Sequence, residues 1–428
     1  MAINLRSSNF IQSFKKLHGN TRVSVIFEPL WGIPYSLYTF YFGLYMKDRG
    51  ISDQQIGFLI AIGFIASIFF SAIAGIVTDS MGRRRTTVIC DLIAWPVALI
   101  IYLISNNFWV FAIAQVINSL SKISAVSWNL MLIEDAAPEQ QIAAYNLINT
   151  INISVGIFTP LAGIIVKELG ILSGERIILV FAVISMTIMI LGRNYHYRET
   201  GVGLQILKER KHGSHHQKRR FDMALFKILL QKPLVFTVLC CSILFNAYIP
   251  IGTYTSLYYA PFLTEVLRLD KSAIAVLGGV SAAVMFVIFV LIIPRCSHLN
   301  RYLWMAGGIL LQILALALFI TLPAGNFAAA FLAVAAFAIG YGLSKPFIDA
   351  VLAEVTSGTE RAAIFAVHNT AVAVFSAIFG FLSGFLYSLS PALLYILSIG
   401  ILAVCMGLLT WIGLVRRKGT METTTIHD

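Results

Sequence analysis

The residues that could do chemistry in this chain are the few charged side chains set inside long apolar runs. Lys122 lies fourteen residues into one such run and Lys345 lies about as deep in another. A charged group at the centre of a bilayer costs roughly 2.5–3.5 kcal/mol on insertion scales, so a cation there is kept for a reason. Gln115, Asn118, Lys122 and Asn129 recur at helical spacing and share one polar face. Asp349 follows Lys345 by one turn, so the two can pair as i,i+4 neighbours, and such a pair would serve only to hold its helix. Lys122 has two structural alternatives, a pairing with Glu28 or snorkelling to the membrane surface. Glu28 sits two turns inside the first run, with Trp31, Tyr35, Tyr38 and Phe42 on its face. A buried carboxyl there suits a proton-carrying site, whereas a hydrated one beside Arg22 would not. His368, two turns into another run, reads as a hydrogen-bonded structural histidine.

The elements that must position these groups follow from composition. The chain has 428 residues, is 58% hydrophobic and only 12% charged. That is about half the charged fraction of a soluble domain. Runs of about 20 apolar residues, enough to cross a bilayer, recur almost end to end. Twelve spans are expected, at 22–46, 55–78, 86–105, 108–135, 140–169 and 175–193, then 234–264, 272–294, 300–322, 326–356, 360–388 and 391–415. The fold class is therefore all-α and polytopic. The net charge of +11 does not point to nucleic acid, because its placement follows the membrane. With both termini inside, 23 of the 31 Lys and Arg fall in cytoplasmic segments, six outside and two within spans. This is the positive-inside asymmetry. The segment 1–21, carrying Arg6, Lys15 and Lys16 without a small-residue cleavage site, reads as a cytoplasmic tail rather than a signal peptide. Residues 416–428 read as a second cytoplasmic tail.

The interval 194–233 separates two six-span halves, 22–193 and 234–415. Arg193–Lys232 carries ten Lys and Arg. It reads as an inter-domain linker touching anionic lipid headgroups. Its histidines, His196, His212, His215 and His216, read as a solvated loop rather than a metal site. Cys90, Cys240, Cys241, Cys296 and Cys405 lie in or beside apolar runs without metal or disulfide spacing, as small packing residues. The halves also repeat: the stretch from Leu132 matches that from Leu352 at an offset of 220, pairing Glu134 with Glu354 and Asn149 with Asn369. Such a duplication is one way two-domain transporters are built.

The connection Gly75–Thr87 is the most polar short link in the first half. Gly75 and Gly82 permit a tight turn and close helix approach. Asp79 can accept hydrogen bonds from a helix N-terminus, and Arg83, Arg84 and Arg85 pin the ends of the flanking helices. The spacing of Gly75, Asp79, Gly82, Arg83 and Arg84 resembles the signature loop between helices 2 and 3 of the major facilitator superfamily, with Val77 and Ser80 as departures. Thr159, Pro160 and Gly163 resemble more weakly the helix 5 motif of that superfamily's drug–proton antiporters, with Thr159 and Ile164 replacing glycines. The arginine those antiporters carry early in helix 4 is absent, and Gln115 stands in its place.

The resemblance implies two pseudo-symmetric six-helix bundles that alternate access to a cavity lined by helices 1, 4, 7 and 10. On that basis Lys122 and Lys345 are expected to contact an anionic substrate, with Asn118, Asn129, Trp31, Tyr35, Tyr38, Asn246, Tyr254 and Tyr258 lining its site. Pro250 and Pro261 are expected to bend helix 7 beside the last three. Glu28 and Asp349 are the proton-coupling candidates. Gly75, Asp79, Gly82, Arg83, Arg84, Asp91, Glu134, Asp135, Glu354 and Arg361 are expected to form structural latches of the inward gate. The expected function is a secondary transporter, symporter or antiporter, of a small organic anion, coupled to protons and monomeric, in the cytoplasmic or plasma membrane. Export of lipophilic compounds against protons and flipping of lipid headgroups are the alternatives on the same fold. There is no Gly-x4-Gly-Lys-Ser/Thr phosphate loop or Gly-x-Ser-x-Gly elbow, and no cofactor or metal is implied, so an enzyme is not expected.

Overall fold

The computed structural model describes residues 14–211, 233–253, 255–296, 301–355 and 361–424. Its regular structure is helical. We number the spans α1 to α12. Among the described residues ten helices are long and apolar enough to cross a membrane. They begin with α2 (Asp53–Met81), α3 (Arg83–Ile104) and α4 (Phe108–Ile133), and continue with Pro138–His196. This last stretch is two spans, α5 and α6, because Gly170 leaves helical geometry at φ +77°. A Cβ on Gly174 would lie 3.1 Å from the Val166 backbone, so the chain doubles back with almost no loop. Then follow α7 (Pro233–Gly252), α8 (Lys271–Ile292), α9 (Arg301–Thr321) and α10 (Phe327–Val355). The last two are α11 (Arg361–Leu389) and α12, whose span is Pro391–Trp411. The remaining span, α1, consists of Gly19–Phe27 and Pro29–Asp48, broken at Glu28. Twelve spans result, as expected. Isoleucines, leucines and phenylalanines such as Ile65, Phe69, Ile113 and Ile184 lie exposed along them, as a lipid-facing surface requires.

The chain forms two compact units, residues 1–55 with 62–218, and 56–61 with 219–428. In the first unit α1 packs antiparallel on α6. The bare face of Gly192 admits the Phe27 ring, and the Ser185 hydroxyl donates to the Leu30 carbonyl at 2.7 Å. Pro96 cannot donate to its helix, and α3 widens there into a π-turn over Ile93–Val97. α4 breaks at Ser119–Leu120. In the second unit α9 and α10 approach most closely at Gly308 and Gly340. A Cβ on Gly340 would lie 2.5 Å from the Gly308 carbonyl oxygen, so only glycine fits. Gln312, fully buried, donates to the Ser344 hydroxyl at 2.8 Å and accepts from Tyr248. Cys90, Cys240, Cys241 and Cys405 are unbridged thiols.

One feature differs from the expected spans. Span 234–264 is not continuous: α7 ends at Gly252, and a helical turn resumes only at Tyr259. Pro250 and Pro261, with Gly252 between them, account for the break. Within the linker interval Gly201–Lys211 is helical, and its entry bonds to the first unit. His212, His215 and His216 lie outside the described residues.

Candidate functional site

Three groups of polar residues in the first unit and one in the second contain the side chains of interest. The first lies where α2 turns into α3. Gly82 takes φ +87°, a conformation that disfavours side chains, and so lets Arg83 begin α3 immediately. Arg83 then folds back into the unit. Its Nη1 donates to Asp79 at 2.9 Å, and its Nε and Nη2 reach Glu134 at 3.1–3.3 Å. The start of the linker closes over this pair. Thr200 donates to Glu134 at 2.5 Å, and the Gly201 N–H donates to Asp135 at 3.1 Å. Glu199 accepts from the backbone N–H groups of Arg83 and Arg84 at 2.8 and 3.0 Å. Glu199, not Asp79, therefore satisfies the α3 N-terminus, and Asp79 holds the guanidinium instead. Arg84 bonds the Asn194 side chain and carbonyl. Gly75 lies within α2, one turn before Asp79.

The second group is buried between α1, α3, α4 and α6. The Arg193 guanidinium donates to Glu28 at 2.7 Å and to the Ser24 carbonyl at 3.0 Å, and it lies over the Trp128 ring. Asp91 lies within electrostatic reach of the same guanidinium and of Glu28. Glu28, Asp91 and Arg193 are 5%, 7% and 5% exposed. Glu28 thus pairs with neither Lys122 nor Arg22. Sequence reasoning missed Arg193 because it opens a basic interval and reads as part of the linker. The signal that could have found it is the antiparallel pairing of the first and sixth spans, which sets Glu28 beside it. Asp91, expected among the latches of the loop, belongs to this buried group.

The third group is an aromatic cluster at the next turn of α1. Trp31 stacks on Tyr35 at 4.8 Å, and Trp95 stands edge-on to both at 5.4 and 5.9 Å. Tyr38 adds a perpendicular contact to Tyr35 at 5.6 Å but is itself buried. Tyr35 is 37% exposed, and Trp31 and Trp95 are partly exposed. Trp95 was absent from the expected set; its place on the π-turn is what brings it to Trp31. On α4, Lys122 is exposed, and no carboxylate among the described residues pairs with it. It shares the uncovered face of that helix with Ala125 and with the partly exposed Asn129, whose side-chain carbonyl accepts from Tyr145 at 2.6 Å. Asn118 points elsewhere: its amide donates to the Ala94 carbonyl at 2.8 Å, bracing the π-turn. Gln115 is likewise engaged, accepting from Tyr102 at 2.5 Å.

In the second unit Lys345 is bound to Asp349 at 2.5 Å, the internal pair that its spacing allows. Asn246 donates to the Ser242 carbonyl at 2.8 Å, and Ser242 meets His368 at 2.9 Å. Asn246 is therefore tied into a structural network with His368 rather than projecting freely. Tyr258 is fully buried against Tyr387, with ring centres 4.7 Å apart, and as placed it offers no surface to a substrate. Tyr254 lies outside the described residues. Glu354, the repeat counterpart of Glu134, pairs with Arg301 at 2.8 Å, half-exposed. The side chain of Arg361, its expected companion, lies outside the described set. Among the described residues no three His, Cys, Asp or Glu side chains gather as a metal site.

Comparison with known proteins agrees with this arrangement. A variant of the nucleoside transporter NupG superposes with TM-score 0.72 at 15% identity, over 92% of this chain and all of the other. A D-xylose–proton symporter superposes with TM-score 0.69 at 15% identity, covering 91% and 95% of the two chains. At such identity the likeness concerns the fold. The quinolone resistance protein NorA of Staphylococcus aureus is 27% identical over 99 residues, 23% of this chain and 25% of its own length. The sequence thus aligns with about a quarter of that curated relative. The family model described as Major Facilitator Superfamily matches residues 31–348. With that match and the apolar helices among the described residues, the chain belongs to the Major Facilitator Superfamily and is a multi-pass membrane protein.

Proposed function

We propose that the chain moves small organic anions with an apolar, planar body by alternating access, coupled to protons. The observation that carries this reading is Lys122: an ammonium group on an uncovered face of α4, without an acidic partner among the described residues. An ammonium held against lipid is costly, so this face borders water, and an unpaired cation beside water is a natural anion contact. Lys345 carries less of the reading, because Asp349 neutralises it. The rings of Trp31, Tyr35 and Trp95 supply flat apolar surface for the rest of the ligand. Both termini and the Arg83 loop are assigned to the cytoplasmic side by the distribution of basic residues, and the linker's Lys and Arg to the anionic headgroups there. We read the working form as a monomer.

A second reading is favoured by one observation, the aromatic cluster itself. Rings in this arrangement also hold lipophilic cations, and NorA, a quinolone resistance protein, is among the relatives. Ligand-induced thermal stabilisation of the purified protein separates the two. Aromatic carboxylates should raise the melting temperature of the wild type and not of Lys122→Gln. Stabilisation by lipophilic cations alone, unchanged in Lys122→Gln, would overturn the anion reading.

A further inference from the structure

Glu175, in the second turn of α6, is fully buried. Among the described residues neither of its carboxyl oxygens has a hydrogen-bond partner, and no cation pairs with it. The contacts that join α1 to α6 also fix what lies beside it. Gly192 meets Phe27, Arg193 binds Glu28 and Ser185 donates to the Leu30 carbonyl, so the two helices run antiparallel. Ten residues from the Ser185–Leu30 contact along each helix, that register sets Glu175 level with Phe40, between Tyr38 and Tyr41. Both tyrosines are buried, and Tyr38 lies within electrostatic reach of Glu175. Arg193 is eighteen residues away on α6, about 27 Å by helical rise, too far to serve it. The other titratable groups around this end of α6 are engaged or exposed. Tyr102 on α3 donates to Gln115 at 2.5 Å, and Tyr45 on α1 donates to the Leu103 carbonyl at 3.2 Å. At the end of α1, Lys47 pairs with Asp53 at 3.0 Å, and Arg49 is held by Asn106 and the Tyr45 hydroxyl. Asp48, and Lys167, Glu168 and Arg176 on the α5–α6 hairpin, are exposed.

An ionised carboxylate with no donor and no cation beside it is among the costliest groups to bury, and the neutral acid is far cheaper. We propose that Glu175 is the proton-binding group of this unit: it holds a proton while α1 and α6 pack as here, and gives it to water when they part. This rests on the proton-coupled reading above and names the group that carries the proton. The two acids singled out from the sequence are otherwise committed, Glu28 to Arg193 and Asp349 to Lys345. Release breaks the O–H bond, leaves the charge on the carboxylate and passes the proton to a water molecule. It therefore needs water at the carboxyl, which the closed contact excludes and its opening admits. Gly170, five residues before Glu175, already leaves helical geometry, so it is the joint about which the start of α6 can shift. The helix that covers Glu175 also carries the aromatic cluster. Tyr38 meets Tyr35 at 5.6 Å, and Tyr35 stacks on Trp31, so parting α1 from α6 displaces the cluster as it frees the proton.

Two measurements test this, and the first needs no substrate. Infrared spectra of the purified full chain at neutral pH should show the carbonyl stretch of a protonated carboxyl. Glu175→Gln, close to isosteric, should remove a component of that band, and Glu168→Gln, on the exposed side of the hairpin, should leave it whole. Glu175→Asp keeps an acid at the position and should shift the component rather than delete it. A band unchanged in both Glu175 variants, or missing from the wild type, overturns the proton site. The second measurement is transport of an aromatic carboxylate in proteoliposomes. Glu175→Gln should lose accumulation driven by a pH gradient yet keep exchange at equal pH, whereas Lys122→Gln should lose both. Driven accumulation undiminished in Glu175→Gln overturns the coupling role and leaves the anion reading intact. Wild-type vesicles that move no carboxylate overturn the anion reading, and the infrared band alone then decides the proton site.

Discussion

Replacing Arg83 by methionine would test what the loop between α2 and α3 does. The guanidinium side chain is 4% exposed and that of Glu134 10%, whereas that of Asp79 is 33% exposed. Losing the cation therefore strands chiefly Glu134, because water can serve Asp79. Removing one partner of a buried pair costs roughly 3–5 kcal/mol. Glu134 keeps the Thr200 hydroxyl, which points to the lower end, about 3 kcal/mol. For a unit of this size each kcal/mol shifts the melting temperature by roughly 2–4 °C, so Arg83→Met should melt about 6–12 °C lower. Differential scanning fluorimetry of the detergent-purified protein reads the shift. Arg83→Met combined with Glu134→Leu removes both charges and should recover most of the loss, since an apolar replacement of a buried pair is close to neutral. A single variant within about 1 °C of wild type, or a double variant no better than the single, would refute the assignment of the pair as buried and mutually compensating.

Other substitutions probe the packing and the charge assignments. Gly340→Ala should lower stability by about 1–3 kcal/mol, because its Cβ meets the Gly308 backbone, whereas Gly307→Ala, which faces open space, should be neutral in the same melt. Gly82→Ala should cost about 1–2 kcal/mol through its positive φ, with further strain from the nearby Glu199 carboxylate, and a melt equal to wild type would contradict the turn geometry. Lys345→Gln should change stability by less than about 1 kcal/mol, because its partner Asp349 is half-exposed, and should keep the stabilisation by aromatic carboxylates that Lys122→Gln loses.

The spans, their number and the membrane class were legible because a bilayer imposes length and apolarity on every crossing segment. The polar loop was legible in part: Asp79, Arg83 and Glu134 each stood out, but that Arg83 bridges the other two did not. Glu199 and Thr200 were not foreseen, since nothing local in the sequence says that a linker more than a hundred residues away returns to cap α3. Within helices, spacing gave the face but not the neighbour. It placed Lys345 one turn from Asp349 correctly, yet it could not tell that Asn118 serves the Ala94 carbonyl. That bond depends on where α3 widens around Pro96, a feature of two helices together. Arg193 was hidden for the same reason: its partner lies 165 residues earlier, and only antiparallel packing makes them neighbours.

Flux in proteoliposomes under an imposed pH gradient, with an aromatic carboxylate as the transported probe, tests the transport account most directly. The account predicts gradient-driven movement of the probe by the wild type and its loss in Lys122→Gln, with Lys345→Gln still active. Movement unaltered in Lys122→Gln, or none in the wild type under either direction of the gradient, would contradict it.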